Sequence, residues 1–490
     1  MKYWNLLIAF LLCTFLIVAC KPDDDTVLPT GGNTTTTNNN PDDTNTSDDT
    51  SSDDTSSDDM NDGSDDYVVE TIVPTGEEQF LNLDSDYIFN QKKLHTFEIN
   101  LPAASLAKLD ADPAAEEYVE AALTFEGETV SPVGLRYKGS IGGFGGCLSN
   151  TDWTNPSGYK TCTKLSMKIK INWDGVDTKF YGLKKVQLHS MNHDESQMRD
   201  RLAYWLFAEM GVPAPRATHA RVVVNGEYVG LFALIENIDG RFAKHHFDDD
   251  DGNVYKEIWP VDMDGNPQSD ATYIEGLKTN EEEADISLMK SFGEAIAAST
   301  ESTIQSVISN RMNIDEIISY AVVDRTIRHD DGPFHWYCSW GGCTNHNYFW
   351  YEEPNNKELH LIPWDMDLTF ENIIWDVNPV IPLADDWGET SNNCNPFSYG
   401  AFGFYQWSAA CDKLTGGWAM YEEEYIQKKE EFIATAFSEA KVTARLDAWS
   451  AQIRAATIEA DEAHGDSVSE AQWESAVEYL KELVAHAREN

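Results

Sequence analysis

Residues 164–171 read Lys164-Leu-Ser-Met-Lys168-Ile-Lys170-Ile171, a strict alternation of polar and apolar side chains. Successive side chains of a strand point to opposite faces. Lys164, Ser166, Lys168 and Lys170 therefore share one face, and Leu165, Met167, Ile169 and Ile171 share the other. Upstream, Leu135-Arg136-Tyr-Lys138 alternates likewise and runs into Gly139-Ser-Ile-Gly-Gly-Phe-Gly-Gly146. A glycine-rich loop lets backbone approach phosphate groups, and a lysine beneath it neutralises their charge. Taken alone, a lysine row is a solvated face and a glycine run a flexible loop.

Working outward, residues 95–101 and 118–125 alternate as strands around a short helix at 103–109. The pattern predicts a helix over 194–210, capped near Asn192 or Asp194 and stopped by Gly211-Val-Pro213. Strands at 220–224 and 228–236 flank Asn225-Gly226, the strongest short hairpin signal. A helix at 315–328 leads to Asp330-Asp331-Gly332, and strands at 347–351 and 359–370 enclose a turn at Glu353-Pro-Asn-Asn356. From residue 420 onward the pattern is helical, and there is no internal repeat. The class is α+β, with an antiparallel-strand-rich first part and helices late.

Three features can share one site. In Trp364-Asp365-Met-Asp367, two carboxylates on one strand face can hold a divalent cation. Asp331 follows a helix in a loop, with Asp330 beside it and Gly332 favouring Asp331 as the functional one; Asn347 opens the next strand. The glycine loop and lysine strand complete the set. His329, His335 and His346 lie close in sequence and read as surface histidines. The order, from Gly loop and Lys strand through helix, hairpin and helix to Asp loop, Asn and Asp-x-Asp, is the order of parts in a protein kinase.

The chain resembles the CotH family, atypical secreted kinases related to spore coat protein H. The resemblance rests on Arg136-Tyr-Lys138-Gly-Ser140, Lys164-Leu-Ser-Met-Lys168, Tyr181-Gly-Leu-Lys184, Asp194-Glu-Ser-Gln-Met-Arg199, Val224-Asn-Gly-Glu-Tyr-Val-Gly230, Val254-Tyr-Lys256, Asp331-Gly332, Asn347-Tyr348 and Ile362-Pro-Trp-Asp-Met-Asp367. It implies a kinase-like fold across residues 76–490, with an N-lobe near 85–236 and a C-lobe near 237–490. It implies ATP with Mg²⁺ or Mn²⁺ as cofactors, and a Ser/Thr-bearing protein as substrate. By the same resemblance Asp331 is the catalytic Asp, Asp365 the metal ligand, Asp367 its helper and Asn347 a second ligand. Lys164 and Lys168 bind phosphate, with Arg136 and Lys138 as alternatives. Glu195 pairs with the strand Lys, and Glu236, joined by Lys256, lies near the adenine hinge. Fifteen residues separate Asp331 from Asn347, against about four in ordinary kinases.

Residues 6–19 are apolar apart from Thr14, too short to span a membrane and the length of a signal-peptide core. They end in Leu16-Ile-Val-Ala-Cys20, which resembles a bacterial lipobox and implies a signal at 1–19, lipidation at Cys20, and an exported outer-membrane or cell-surface lipoprotein held to the membrane by that lipid alone. Residues 20–75 form an Asp, Ser, Thr and Asn-rich tether that cannot bury enough apolar surface to order itself. The 490 residues carry 84 Asp+Glu against 35 Lys+Arg, a net charge of −49, about a quarter of it in the tether. Such acidity excludes nonspecific nucleic-acid binding, and a monomer is expected. Six cysteines beyond Cys20 fall into the close pairs Cys147 and Cys162, Cys338 and Cys343, Cys394 and Cys411. In an exported chain these read as disulfides, with a zinc site of Cys338, Cys343 and His335 or His346 as the rival. The rival function is a noncatalytic surface lipoprotein for adhesion or glycan binding, its 15 Trp serving as platforms.

Overall fold

The computed structural model describes residues 84–489, except 153–154, 284, 330, 340–341, 371–393 and 400–403. The expected signal, Cys20, the tether and Asp330 lie outside the described residues. Among the described residues no helix is long and apolar enough to cross a membrane. The fold is α+β.

Seven strands form a closed barrel: β1 (His95–Asn100), β2 (Val119–Phe125), β3 (Glu128–Tyr137), β4 (Met167–Lys170), β5 (Lys185–His189), β6 (Ala217–Val224) and β7 (Glu227–Ile235). Their order around the barrel is β1-β2-β3-β4-β5-β7-β6. Neighbours pair antiparallel, except that β1 and β6 close the ring in parallel. The alternation read in the sequence sends Phe97, Ile99, Leu123 and Phe125 inward, where Phe125 meets Phe180 edge-on. The β6–β7 turn has Asn225 at φ 51° and Gly226 at φ 85°, the double left-handed geometry that Asn-Gly favours.

The lysine strand is shorter than its alternation predicts. It covers Met167–Lys170 because β3 offers a partner only from Gly134 to Tyr137 before turning into the glycine loop. Nor is it a solvated face: Lys168 is 5 % exposed. The helix predicted over 194–210 begins at Arg199 (α1, Arg199–Glu209). Asp194 instead folds the preceding residues into a turn, accepting from the backbone N–H of Ser196 and Arg199.

A second core collects α1, the helices after β7 and two small sheets, whereas the short helix Ala103–Ala111 buries Leu109 in the barrel core. Helix α2 (Ile314–Thr326) is capped by Asn313, whose side chain accepts from the Glu316 N–H. A three-stranded sheet joins β8 (Val254–Lys256), β11 (Tyr348–Glu353) and β12 (Glu358–Pro363) in the order β12-β11-β8. The other sheet contains β9 (His335–Ser339) and β10 (Gly342–Thr344), with Cys338 directly opposite Cys343. All three cysteine pairs are bonded as the spacing suggests. The Cys338–Cys343 bond takes both thiols away from the rival zinc site.

Helices α3 (Glu422–Ala434), α4 (Glu439–Ala463) and α5 (Glu470–Glu489) close the chain. Helix α4 lies against β7, tied by the Tyr228 hydroxyl to the Ala456 carbonyl at 2.9 Å and by Arg221 to Glu459. Its apolar face, including the fully buried Ile453, is part of the second core. Ile453→Ala should therefore cost about 2–5 kcal/mol, read as a lowered urea midpoint; a midpoint unchanged within error would show that the tail is not part of the folded unit.

Candidate active site

The end of β3 and the middle of β4 carry basic side chains near Asp365, at a candidate cleft. Arg136 and Lys168 are register partners on these strands, and both are buried. Arg136 is paired with Glu116 at 2.9 Å. Lys138, half-buried at the mouth of the glycine loop, donates to His189 Nε2 at 2.8 Å and sits over the Trp364 ring at 5.2 Å. Its pKa is pushed down to about 8: burial is the main cause, Asp365 opposes it, and the charges of Lys168, Lys256 and Arg136 add to it. Those influences gather four cations and Asp365 in one neighbourhood.

Facing them, β12 ends at Pro363, earlier than the strand predicted over 359–370. Asp365 adopts a left-handed backbone at φ 58°, and Met366–Leu368 form a single 3₁₀ turn. Asp365 and Asp367 are thus not side by side on a strand face. The turn is gripped from several elements. The Asp365 N–H donates to the Tyr204 hydroxyl (3.0 Å) and the Met366 N–H to Asp200 Oδ1 (3.2 Å). His329 Nε2 meets the Asp365 carbonyl at 3.1 Å, and Arg199 reaches the Asp367 carbonyl at 3.3 Å. A carbonyl only accepts, so Nε2 of His329 carries a proton.

His329 also fixes the loop that bears Asp331. Its Nδ1 lies 3.2 Å from Asp324 Oδ2, and its carbonyl accepts from the Gly332 N–H. Burial disfavours the charged imidazole, but Asp324, Asp331 and the Asp365 carbonyl outweigh it and raise its pKa. His329 and His335 are buried rather than surface residues. Asn347 Nδ2 donates to Asp331 Oδ2 at 2.8 Å, bringing the two together despite their separation in sequence. Asp331 is pushed up to about 6: burial is the main cause, Asp365 and Glu257 add to it, and His346 and His329 pull the other way.

Not every predicted residue joins this cleft. Lys164 lies upstream of β4 and donates to the Leu231 carbonyl at 3.0 Å, over the Phe232 ring. Glu236 is held by Arg216 and His246; burial alone would raise its pKa, but those hydrogen bonds bring it down to about 2. Glu195 is exposed and precedes α1; the carboxylate that α1 does send inward is Asp200, 3.8 Å from His189 Nδ1. His189, Asp200, Tyr204, Asp324 and Glu257 were not legible as site residues. His329 had one signal, its place two residues before Asp331.

The remaining donors suit a hard dication. Asp365, Asp331 and Asn347 offer oxygen ligands, and the closeness of Asp365 to Asp331 makes a like-charge site that a dication relieves. The family model described as CotH kinase protein matches residues 135–489. The chain belongs to the CotH kinase protein family. It is 25% identical over 202 residues to the inner spore coat protein H of Bacillus subtilis (strain 168), covering 39% of this chain and 51% of that protein. An inner spore coat protein H-like protein of the same organism is 35% identical over 68 residues, 14% of this chain and 21% of that one. The chain thus spans about half the first relative and about a fifth of the second.

In this CotH chain the raised pKa of Asp331 has a stability consequence. The folded state holds the Asp331 proton up to about pH 6, the unfolded state only to about 3.9. Stability contributed by the neutral form is lost as pH rises between those values. Asp331→Asn should therefore unfold at a higher temperature than the parent at pH 7 in chelator-treated buffer. The difference should shrink through pH 6 and vanish below pH 4; a gap that is constant or grows on acidification would contradict this.

Proposed function

We propose that this protein is an extracytoplasmic, lipid-anchored kinase that moves the γ-phosphate of ATP to a Ser/Thr hydroxyl of a surface or secreted protein. The observation that carries the reading is the grouping of Arg136, Lys138, Lys168 and Lys256 near Asp365, with Asp331, held by Asn347, close enough to Asp365 to feel its charge. Phosphoryl transfer asks for positioning and charge neutralisation more than covalent chemistry. The basic side chains offset the triphosphate charge. Asp365, helped by Asp367 and Asn347, would hold Mg²⁺ or Mn²⁺, which when bound neutralises charge on the β- and γ-phosphates. The substrate oxygen attacks the γ-phosphorus, the bond to the β-phosphate oxygen breaks, and the hydroxyl proton passes to Asp331. A carboxylate with a pKa of about 6 is well matched to that proton near neutral pH, and Asn347 orients it.

Three disulfides support an oxidising, extracytoplasmic setting, and the name of the first relative places that protein in a spore coat. The glycan-binding alternative draws less support. Trp350, Trp418, Trp449 and Trp473 are fully buried, and among the described residues no Trp is one of the exposed large apolar side chains.

The test is phosphate transfer from labelled ATP with Mg²⁺ by the full chain and by Asp331→Ala, Lys168→Met and Asp365→Asn. Asn is chosen at 365 because it tolerates the left-handed backbone there. Each variant should lose about 100-fold or more in rate. Equal background in all four proteins, with no ATP-dependent thermal shift in the parent, would overturn the kinase reading.

A further inference from the structure

A second cluster of ligating side chains lies at the far end of the β11–β12 hairpin. Glu353 closes β11 and stands directly opposite Glu358, which opens β12; His360 follows two residues later on the same strand. Cross-strand partners share a face, and so do residues two apart on a strand. All three side chains therefore project to one side. One carboxylate oxygen from each Glu and one ring nitrogen of His360 lie within 4.8 Å of one another.

An independent observation comes from the imidazole. His360 is 6 % exposed, and its Nε2 has no hydrogen-bond partner. That nitrogen is aimed into the cluster, 3.7 Å from Glu353 Oε2 and so beyond hydrogen-bond reach. The other nitrogen, Nδ1, is engaged by Glu316 of α2 at 3.0 and 3.1 Å. A carboxylate on one nitrogen with the other left for a cation is the way proteins orient a metal-binding histidine. The Asn356 amide donates to Glu353 Oε2 at 2.6 Å and to Glu358 Oε2 at 3.2 Å, drawing the carboxylates together. Two carboxylates set directly opposite repel. Glu353 is buried and Glu358 half-buried, which leaves the cluster open on the Glu358 side.

We propose that Glu353, Glu358 and His360 form a divalent-cation site, separate from the cleft, with Glu316 as its outer carboxylate. One imidazole with two carboxylates suits Zn²⁺ or Mn²⁺, whereas Ca²⁺ and Mg²⁺ prefer oxygen alone. Along β12 the site lies about 10 Å (His360) to about 17 Å (Glu358) from Pro363, at roughly 3.4 Å per residue. A cation there ties β11 and β12 to α2, the elements that deliver Asn347, Asp365 and the Asp331 loop.

The test is Zn²⁺ binding to the chelator-stripped full chain carrying Asp365→Asn, which removes the cleft's own ligand. By calorimetry and metal analysis, about one equivalent should remain bound. Adding Glu358→Gln should weaken it more than about tenfold, and Glu316→Gln by about 10–100-fold. No binding in the Asp365→Asn protein, or binding unchanged by Glu358→Gln, would overturn the assignment. Zn X-ray absorption of the one-equivalent complex needs no second substitution: it should show one imidazole among oxygen ligands, and a shell without imidazole would also overturn it.

Discussion

The left-handed turn at Asp365 is the point through which the two halves of the cleft are set. A non-glycine residue at φ 58° costs on the order of 1–3 kcal/mol and persists only where its surroundings over-determine it. Here three residues of backbone, 365–367, are held by Tyr204, Asp200, His329 and Arg199. Asp200 and Tyr204 are four residues apart on α1 and so share a face. The same Asp200 approaches His189, which accepts from Lys138 at the end of β3. A continuous polar path therefore runs from Lys138 of the barrel to the backbone that presents Asp365. On the other side, His329 joins that backbone to Asp324 and the Asp331 loop. Substitutions at His189, Asp200 or His329 act by moving these groups rather than by removing one that reacts.

Electrostatics explains why the cleft needs such bracing. The chain is strongly acidic, with a net charge of −49, yet it gathers Arg136, Lys138, Lys168 and Lys256 where water is scarce. Burial disfavours the charged ammonium and neighbouring like charges add to that cost, and Lys138 is accordingly pulled down to about 8. Glu116 and Asp365 act as counterions within the cluster. Across the cleft, Asp331 has the mirror-image problem and is raised to about 6. A triphosphate with its dication would supply what each side lacks, anions for the cations and a cation for the carboxylates. That complementarity, more than any single residue, is what supports the kinase reading.

Much of this was legible where the signal is local. The Asn225-Gly226 turn, the three close cysteine pairs and the alternating strands of the barrel each depend on residues near one another in sequence. Lys138 and Lys168 also come near Asp365, and Asp331 near it in turn, as their order along the chain suggests. What failed were readings that extended a local pattern past its tertiary support. The lysine alternation continues to Lys164, but the ladder stops at Met167 because β3 has already turned away. The apolar run after Leu359 continues past Pro363, but side chains from α1 and His329 capture the backbone and turn it. Glu195 has helical neighbours, but Asp194 takes the first N–H groups and delays the helix to Arg199. Closure of the barrel by β1 and β6 had no sequence signal at all, since parallel pairing between distant segments leaves no turn to read.

That closure also sets the limits of the folding unit. The family match begins at residue 135, inside β3, and so omits β1, β2 and most of β3. Yet β1 pairs with both β2 and β6, and β2 pairs with β3. Without the first two strands, β3 and β6 would each present an open edge of unpaired N–H and C=O groups. The barrel would also lose Phe97, Ile99, Leu123 and Phe125 from its interior. Arg136 and Lys138, which lie at the C-terminal end of β3, would then hang from an edge strand instead of a closed wall. The segment outside the family match is thus what closes the barrel wall that carries Arg136 and Lys168.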